Sequence, residues 1–469
     1  VTARRLLGPI LAAIAFGPIA VFGLVRLGLL PFTGGFASPP THVVVVGGAA
    51  MAATAVAVLM IALARREHDP RGGLVGIGFL TMAGLLTIHG LATPGFILDE
   101  YGRNATVGLA GALAVPSGGV LLAIAVLVPA RLVEAPRLIA RSALAVGVAL
   151  VVFGTLGLVH PELVPAVPVT VTPWAYALLL PAVLLYGWIA RRIWHTFQLT
   201  RRGADLAVVL GLVWLGSSIP VYLLSPVWSW MFWTSHALEG AGFLAVAGAV
   251  ARDLTLRTPT LALPRRTTAH DLLASEAALL GGYVTSLTAT MHLRDPSTLA
   301  HSRRVAFLAV GTGERLGLPP AALRRLAVAG LLHDIGKLQI PAEILNKPER
   351  LTDDEYAVIK THPQAGADLL TLLGSFDQEI PIVLHHHERV DGRGYPHGLR
   401  ADAIPVEARI MAVCDVYDAL TSRRAYREPW TQDRAVELIL SESGAAFDPA
   451  CVDALLAVVD TPARVDQAA

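Results

Sequence analysis

The chain has 469 residues, of which 54% are hydrophobic and only 16% charged, and its formal net charge is +1. Soluble globular chains carry about 25% charged residues, so the composition excludes a wholly soluble protein and the length excludes one ordinary domain. The total hides a split: residues 1–250 carry 14 arginines, no lysine and 8 acidic side chains, and residues 251–469 carry 23 basic and 28 acidic ones.

Eight apolar segments precede residue 252, at 6–25, 43–64, 73–93, 107–129, 142–160, 174–190, 206–225 and 230–250. A helix needs about 20 apolar residues to cross the hydrocarbon core, so residues 1–252 read as a bundle of about eight transmembrane helices and the lipid bilayer is an expected partner. Pro9, Pro116 and Pro220 fall inside these segments, as membrane helices allow. The first segment follows Arg4 and Arg5 without a cleavage site and polar sequel, and reads as an anchor rather than a signal peptide.

Arginine placement orients the bundle. Arg4, Arg5, Arg65, Arg66, Arg71, Arg131, Arg137, Arg141, Arg191, Arg192, Arg201 and Arg202 fall on one side, and only Arg26 and Arg103 on the other. By the positive-inside rule this predicts a multi-pass protein of the cytoplasmic (inner) membrane with both termini in the cytoplasm. His42, His89, His160 and His236 then share the outer membrane depth, and Glu239 shares a helix face with His236. Intramembrane ionisable residues are costly. The five are a candidate sensor site for a ligand, metal, haem or proton, or else interfacial histidines and a hydrogen-bonded carboxylate.

Residues 253–293 read as a juxtamembrane linker followed by a helix at 269–293. In that helix Leu273, Ala277, Leu280, Val284, Leu287 and Met291 alternate steps of four and three. This is a short coiled-coil seam, either for a homodimer that passes a signal or for packing on the adjoining domain. Gly281 and Gly282 weaken it.

Residues 294–460 are polar and helical in pattern, with 461–469 as a tail. The acidic balance of this part argues against binding DNA or RNA polymers, which needs a basic field. Its two cysteines, Cys414 and Cys451, exclude a disulfide scaffold and suit a reducing compartment. Seven histidines lie here, several in runs with acidic neighbours: His333 and Asp334 in LLHDIGK, His362 in THPQAG, and His385, His386 and His387 before Glu388. Imidazoles and carboxylates in such clusters are ligands for Fe, Mn or Zn.

The motifs HSRRV (301–305), LLHDIGK (331–337), ILNKPERLTDDE (344–355), THPQAG (361–366), HHERVDGRGYP (386–396) and DVYDALTSRRAYR (415–427) carry a resemblance. In this order they resemble the HD-GYP family of cyclic di-GMP phosphodiesterases, within the HD hydrolase superfamily, over about 295–455. For these residues the resemblance implies a helical metal-dependent hydrolase domain, which with the bundle read from the apolar segments makes an all-α chain; the first half resembles no family. The resemblance also implies two divalent metal ions, Fe or Mn, one held by His301, His333, Asp334 and Asp415. Asp334 would bridge to a second ion held by His362, His386 and His387. Asp334 and Lys337 would be catalytic, Lys337 facing the scissile phosphate. Gly394, Tyr395, Pro396, Arg424 and Arg427 would complete the substrate site, with His385 in support and His397 at the surface. Ser297 stands where some members have a glutamate for a third metal, which favours two. The substrate implied is cyclic di-GMP, cleaved to pGpG, with GMP as an alternative end product. The competing readings are a non-catalytic signalling adaptor and an HD hydrolase of another cyclic dinucleotide. A transporter reading of the first half lacks evident inverted repeats or a charged pathway.

Overall fold

The structure, a computed structural model, describes residues 2–30, 34–67, 70–95, 104–127, 136–165, 173–255, five positions between 284 and 290, 296–347, 349–374, 376–422 and 428–460. The chain divides into two compact units, residues 1–197 with 201–266, and residues 198–200 with 267–469. The cut at 266/267 falls within the expected linker. Of the seam in that linker, only Val284 and Leu287 are described, Val284 being buried; the remaining seam positions, and the tail 461–469, lie outside the described residues. Helices are the regular elements throughout, and among the described residues the only β-pairings are isolated bridges.

The first unit is built on α1 (Thr2–Arg26), α2 (Pro39–Glu67), α3 (Pro70–Leu91), α4 (Asn104–Leu127), α5 (Pro136–Val159), α6 (Pro173–Thr200), α7 (Gly203–Leu223) and α8 (Trp230–Thr255). Four of them open on proline, whose fixed φ and missing N–H suit the first helical position. Among the described residues five helices, α2, α3, α4, α5 and α7, are long and apolar enough to cross a membrane. The eight expected segments each fall on one helix of this unit. In α8 Ser235, His236 and Glu239 dilute the apolar character. Arg191 and Arg192 are not in a loop, because α6 continues to Thr200.

Small residues let these helices approach. Tyr186 on α6 is fully buried and donates its hydroxyl to the Val115 carbonyl at 2.9 Å, tying α6 to α4. Its ring fits where a Cβ on Gly119 or Gly216 would collide with it. The outward faces are apolar: Val44, Met51 and Val58 on α2, and Leu144, Val148 and Val151 on α5, are all more than half exposed. Such rows of large apolar side chains suit hydrocarbon rather than water, and with the five apolar helices they make this a membrane-associated protein.

The second unit comprises α9 (Pro296–Arg315), α10 (Pro320–Leu332), α11 (Ala342–Leu345), α12 (Asp353–Ile359), α13 (His362–Leu373), α14 (Ile380–His385), α15 (Val406–Thr421), α16 (Gln432–Ser441) and α17 (Pro449–Val459). Helix α9 is the hub, packed on α10, α15 and α17 through buried Val305, Ala306, Ala309 and Val310. It meets α10 so closely that a Cβ on Gly330 would lie 2.6 Å from the Ala306 Cα. Helix α12 starts with a capping box, Thr352 and Glu355 each bonding the other's backbone N–H. This packing brings the end of α10, the start of α13, the end of α14 and the middle of α15 to one place.

Candidate metal centre

The functional residues sit at helix ends, where the backbone is free to turn a side chain inward. His333 caps the C-terminus of α10, Asp334 follows it, His362 opens α13, and His386 caps α14 with His387 next. Asp415 and His301 project from inside α15 and α9. The short 3-10 turn Ile335–Gln339 lies against the start of α13, and a Cβ on Gly336 would strike the His362 carbonyl oxygen. The glycine of LLHDIGK therefore lets the His333–Asp334 pair reach His362.

Three of the histidines are held in the same way. His333 Nδ1 donates to the Gly330 carbonyl at 2.8 Å, His362 Nδ1 to Ile359 at 2.8 Å and His386 Nδ1 to Val383 at 2.7 Å. Each bond reaches the carbonyl three residues back. A carbonyl can only accept, so each Nδ1 carries its proton and each Nε2 presents a lone pair. His301 is held by a carboxylate instead, its Nδ1 lying 2.7 Å from Asp418 Oδ2. All four Nε2 atoms point into the cluster. His362 and His386 face each other Nε2 to Nε2 at 3.3 Å, and His333 Nε2 is buried with no hydrogen-bond partner. Lone pairs aimed at one another and an orphaned buried nitrogen are unfavourable alone and are what a cation would relieve. The donor set fits divalent transition ions on this ground.

The ligand atoms fall into two groups bridged by a carboxylate. His301, His333 and Asp415 form one and His362, His386 and His387 the other, with the atoms of each group within 4.8 Å of one another. Asp334 faces both: Oδ2 lies 3.5 Å from His333 Nε2, and Oδ1 lies 3.4 Å from His362 Nε2. Lys337 Nζ donates to Asp334 Oδ2 at 2.6 Å. Burial alone would raise the Asp334 and Asp415 carboxyls, but the surrounding cationic partners, Lys337 and His301 foremost, hold both well below the usual carboxylate range. Burial would lower His301, yet Asp415 and Asp418 outweigh it and hold the imidazole up to about 9. Burial dominates on the other side, taking His387 down to about 4 and lowering His362 and His386.

The described residues expected to bind substrate lie beside the cluster. His387 packs against Tyr395 with ring centroids 4.8 Å apart and the rings tilted by 32°. Gly394 is where the loop doubles back, since a Cβ there would collide with the backbone of Glu388 and Arg389. Pro396 is exposed and Lys337 half-buried. Arg424 and Arg427 lie outside the described residues. His397 is exposed, as expected, and packs against His385 at 5.3 Å between ring centroids. Ser297 is in the first turn of α9.

Sequence reasoning missed two residues that position the others. Asp418 accepts from Arg304 Nε at 2.6 Å as well as holding His301. The i, i+3 spacing of Asp415 and Asp418 on α15 was the available signal. Glu388 accepts from the backbone N–H groups of His397 at 2.7 Å and Leu399 at 3.0 Å, pinning the loop that carries Tyr395.

In the first unit, His42, His89 and His236 come together and Glu239 joins them through His236. His160 does not: it follows the end of α5, is exposed, and pairs with Glu162 at 3.1 Å. Its expected place in the cluster is corrected by the helix end, since α5 stops at Val159 and the next turn carries the ring away.

Residues 285–451 match the family described as HD domain. A cyclic di-GMP phosphodiesterase response regulator of Xanthomonas campestris is 47% identical over 174 residues, which is 36% of this chain and 46% of that protein. A cyclic di-GMP phosphodiesterase of Pseudomonas aeruginosa is 41% identical over 187 residues, 39% of this chain and 45% of that protein. A 3′3′-cGAMP-specific phosphodiesterase of Vibrio cholerae is 35% identical over 175 residues, 37% of this chain and 34% of that protein. The chain thus spans less than half the length of these relatives.

The Asp418–His301 contact yields a test. Asp418→Asn keeps the shape but removes the charge that orients His301, so metal affinity should fall about 10–100-fold at unchanged stoichiometry. In the metal-free protein His301 is protonated below about 9, so metal and proton compete and parental affinity should rise with pH from 7 towards 9. Calorimetry in buffers of different ionisation heat would read proton release. Equal affinity and equal proton release in parent and variant would remove Asp418 from this role.

Proposed function

We propose that this HD domain, which is of the HD-GYP kind, is a metal-dependent phosphodiesterase that opens cyclic di-GMP to pGpG and then to GMP. The carrying observation is the convergence of three proton-free Nε2 atoms, those of His333, His362 and His386, with the His301 imidazole and two ionised carboxylates on one place. Two divalent ions, Fe or Mn, would supply a nucleophile from water at neutral pH and offset charge on the phosphate. His301, His333 and Asp415 would hold one and His362, His386 and His387 the other, with Asp334 between them. Hydrolysis joins water oxygen to phosphorus and breaks the bond to the 3′ oxygen, which takes up a proton. Lys337, which donates to Asp334, would meet a non-bridging phosphate oxygen. Tyr395, fixed by Glu388 through its loop and packed against His387, offers a flat surface beside the cluster for a guanine. Arg424 and Arg427 would add positive charge for the second phosphate.

We further propose that residues 1–252 span the inner membrane eight times and regulate the domain through α8, whose C-terminal end leads towards residues 253–293. Pairing of two chains through 269–293 would make the unit of signalling a dimer.

Turnover by the purified full chain tests the first reading. Cyclic di-GMP should be converted to pGpG with retained metal, and Asp334→Ala should lose about 10²–10³-fold or more in rate together with metal. Full activity in that variant would contradict the bridged site, and turnover of 3′3′-cGAMP alone would reassign the substrate.

Topology has its own test. Impermeant thiol reagents applied to intact cells should label a cysteine placed at Leu163 and leave one placed at Arg201 unlabelled. Labelling at Arg201 would invert the arrangement.

A further inference from the structure

We propose that His42, His89 and His236 form a tris-histidine site for a transition metal ion at one end of the first unit, separate from the centre in the second. All three are buried to 1% exposure, and their ligand atoms lie within 4.8 Å of one another. His42 lies in the first turn of α2, His89 in the last turn of α3 and His236 in the second turn of α8. They therefore share the end at which α8 begins.

The outer nitrogen of each ring has an acceptor. His89 Nδ1 lies 2.8 Å from the Val107 carbonyl, and His236 Nδ1 lies 3.1 Å from Glu239 Oε2. His42 Nδ1 lies 2.9 Å from Thr93 Oγ1, whose own hydrogen goes to the His89 carbonyl at 3.2 Å. Each Nδ1 is thus the donor, and each Nε2 is a lone pair. His42 Nε2 and His236 Nε2 nevertheless face each other at 3.2 Å, and His89 Nε2 has no hydrogen-bond partner. Three acceptors without a donor, in an apolar bundle, lack only a cation.

Spacing selects the kind of ion. Metal–imidazole bonds of about 2.0–2.1 Å put neighbouring tetrahedral ligands about 3.3 Å apart and opposed ligands about 4 Å apart. The 3.2 Å between His42 and His236 is the first distance, so the pair suits a shared tetrahedral ion and not the two faces of a haem. Ring centroids 4.9 Å apart for both His42–His89 and His42–His236 leave no gap for a macrocycle. A donor set of neutral imidazoles suits zinc, copper, iron or nickel and not calcium or magnesium. Glu239 stands behind His236 as the carboxylate that orients a metal-bound imidazole.

The surroundings are shaped for this. A Cβ on Gly111 would lie 2.9 Å from the His89 ring, so glycine leaves the room His89 occupies. Phe232 stacks on His42 at 5.3 Å and meets His236 edge-on at 4.7 Å. Trp228 meets the edge of His42 at 5.7 Å and also lines a cavity of about 520 Å³ shared with Arg26, Phe36 and Ser225. One ring therefore separates the histidines from open space.

The test uses the full chain in lipid nanodiscs, carrying Asp334→Ala and His386→Ala to disable the second-unit centre. Co²⁺ is titrated while visible absorption is followed, and Zn²⁺ retained after desalting is counted. We expect about one retained ion per chain and the intense visible bands of tetrahedral cobalt. His89→Ala should abolish both, and Glu239→Gln should keep the stoichiometry with about 10–100-fold weaker binding. Should His89→Ala not fold, the Glu239→Gln shift decides alone. No retained ion in the parent, identical spectra and counts in parent and His89→Ala, or an unshifted Glu239→Gln would each overturn the site. The outcome is independent of cyclic dinucleotide turnover.

Discussion

The structure depends on where imidazole protons go. A neutral imidazole has one donor and one acceptor nitrogen, and whichever nitrogen finds an acceptor decides which way the lone pair looks. His333, His362 and His386 each give Nδ1–H to the carbonyl three residues back, an arrangement available where a helix starts or stops. Helix ends have to be brought together for this to matter. The close contacts at Gly330 and Gly336 do that, since a side chain at either would hold the ends apart. Packing of α9 against α10, α15 and α17 thus produces the donor set without any single residue designed for metal alone.

The electrostatics are asymmetric. His301 sits between Asp415 and Asp418 and is pushed towards the charged form, while His386 and His387 are pushed towards the neutral form by burial. Asp334 lies between the two regimes and has Lys337 as its nearest cation. One half of the centre therefore holds a proton that a metal has to displace, and the other is already prepared. The loop at 394–399 is fixed both by Glu388, which accepts from His397 and Leu399, and by His387, whose carbonyl accepts from the Tyr395 N–H at 3.2 Å.

Much of this was legible in the residues. The apolar segments became helices, because twenty apolar residues in a row leave few alternatives, but polar ends escaped the pattern: α6 runs ten residues past its expected end to Thr200. The grouping of His333, Asp334, His362, His386 and His387 was legible because His and Asp occur in runs there, whereas His301 and Asp415, inside α9 and α15, came only with the family resemblance. Asp418 and Glu388 were not, because their roles are contacts to a histidine 117 residues away and to loop amides nine and eleven residues on. Depth in the bundle was legible for His42, His89 and His236, but convergence was not, since it depends on which helices neighbour. His160 shows the limit: equal depth placed it with the others, and the break after Val159 removed it.

The two units solve one problem twice, with backbone carbonyls and a carboxylate behind the rings in the second and a carbonyl, a hydroxyl and a carboxylate behind them in the first. The central claim is that the Nε2 atoms of the second unit are metal ligands around a carboxylate bridge. X-ray absorption at the manganese edge of the manganese-loaded full chain tests it most directly. The account predicts imidazole nitrogen scattering and a metal–metal vector of about 3.5–4 Å, both lost in Asp334→Ala. An all-oxygen shell with no metal neighbour would contradict it.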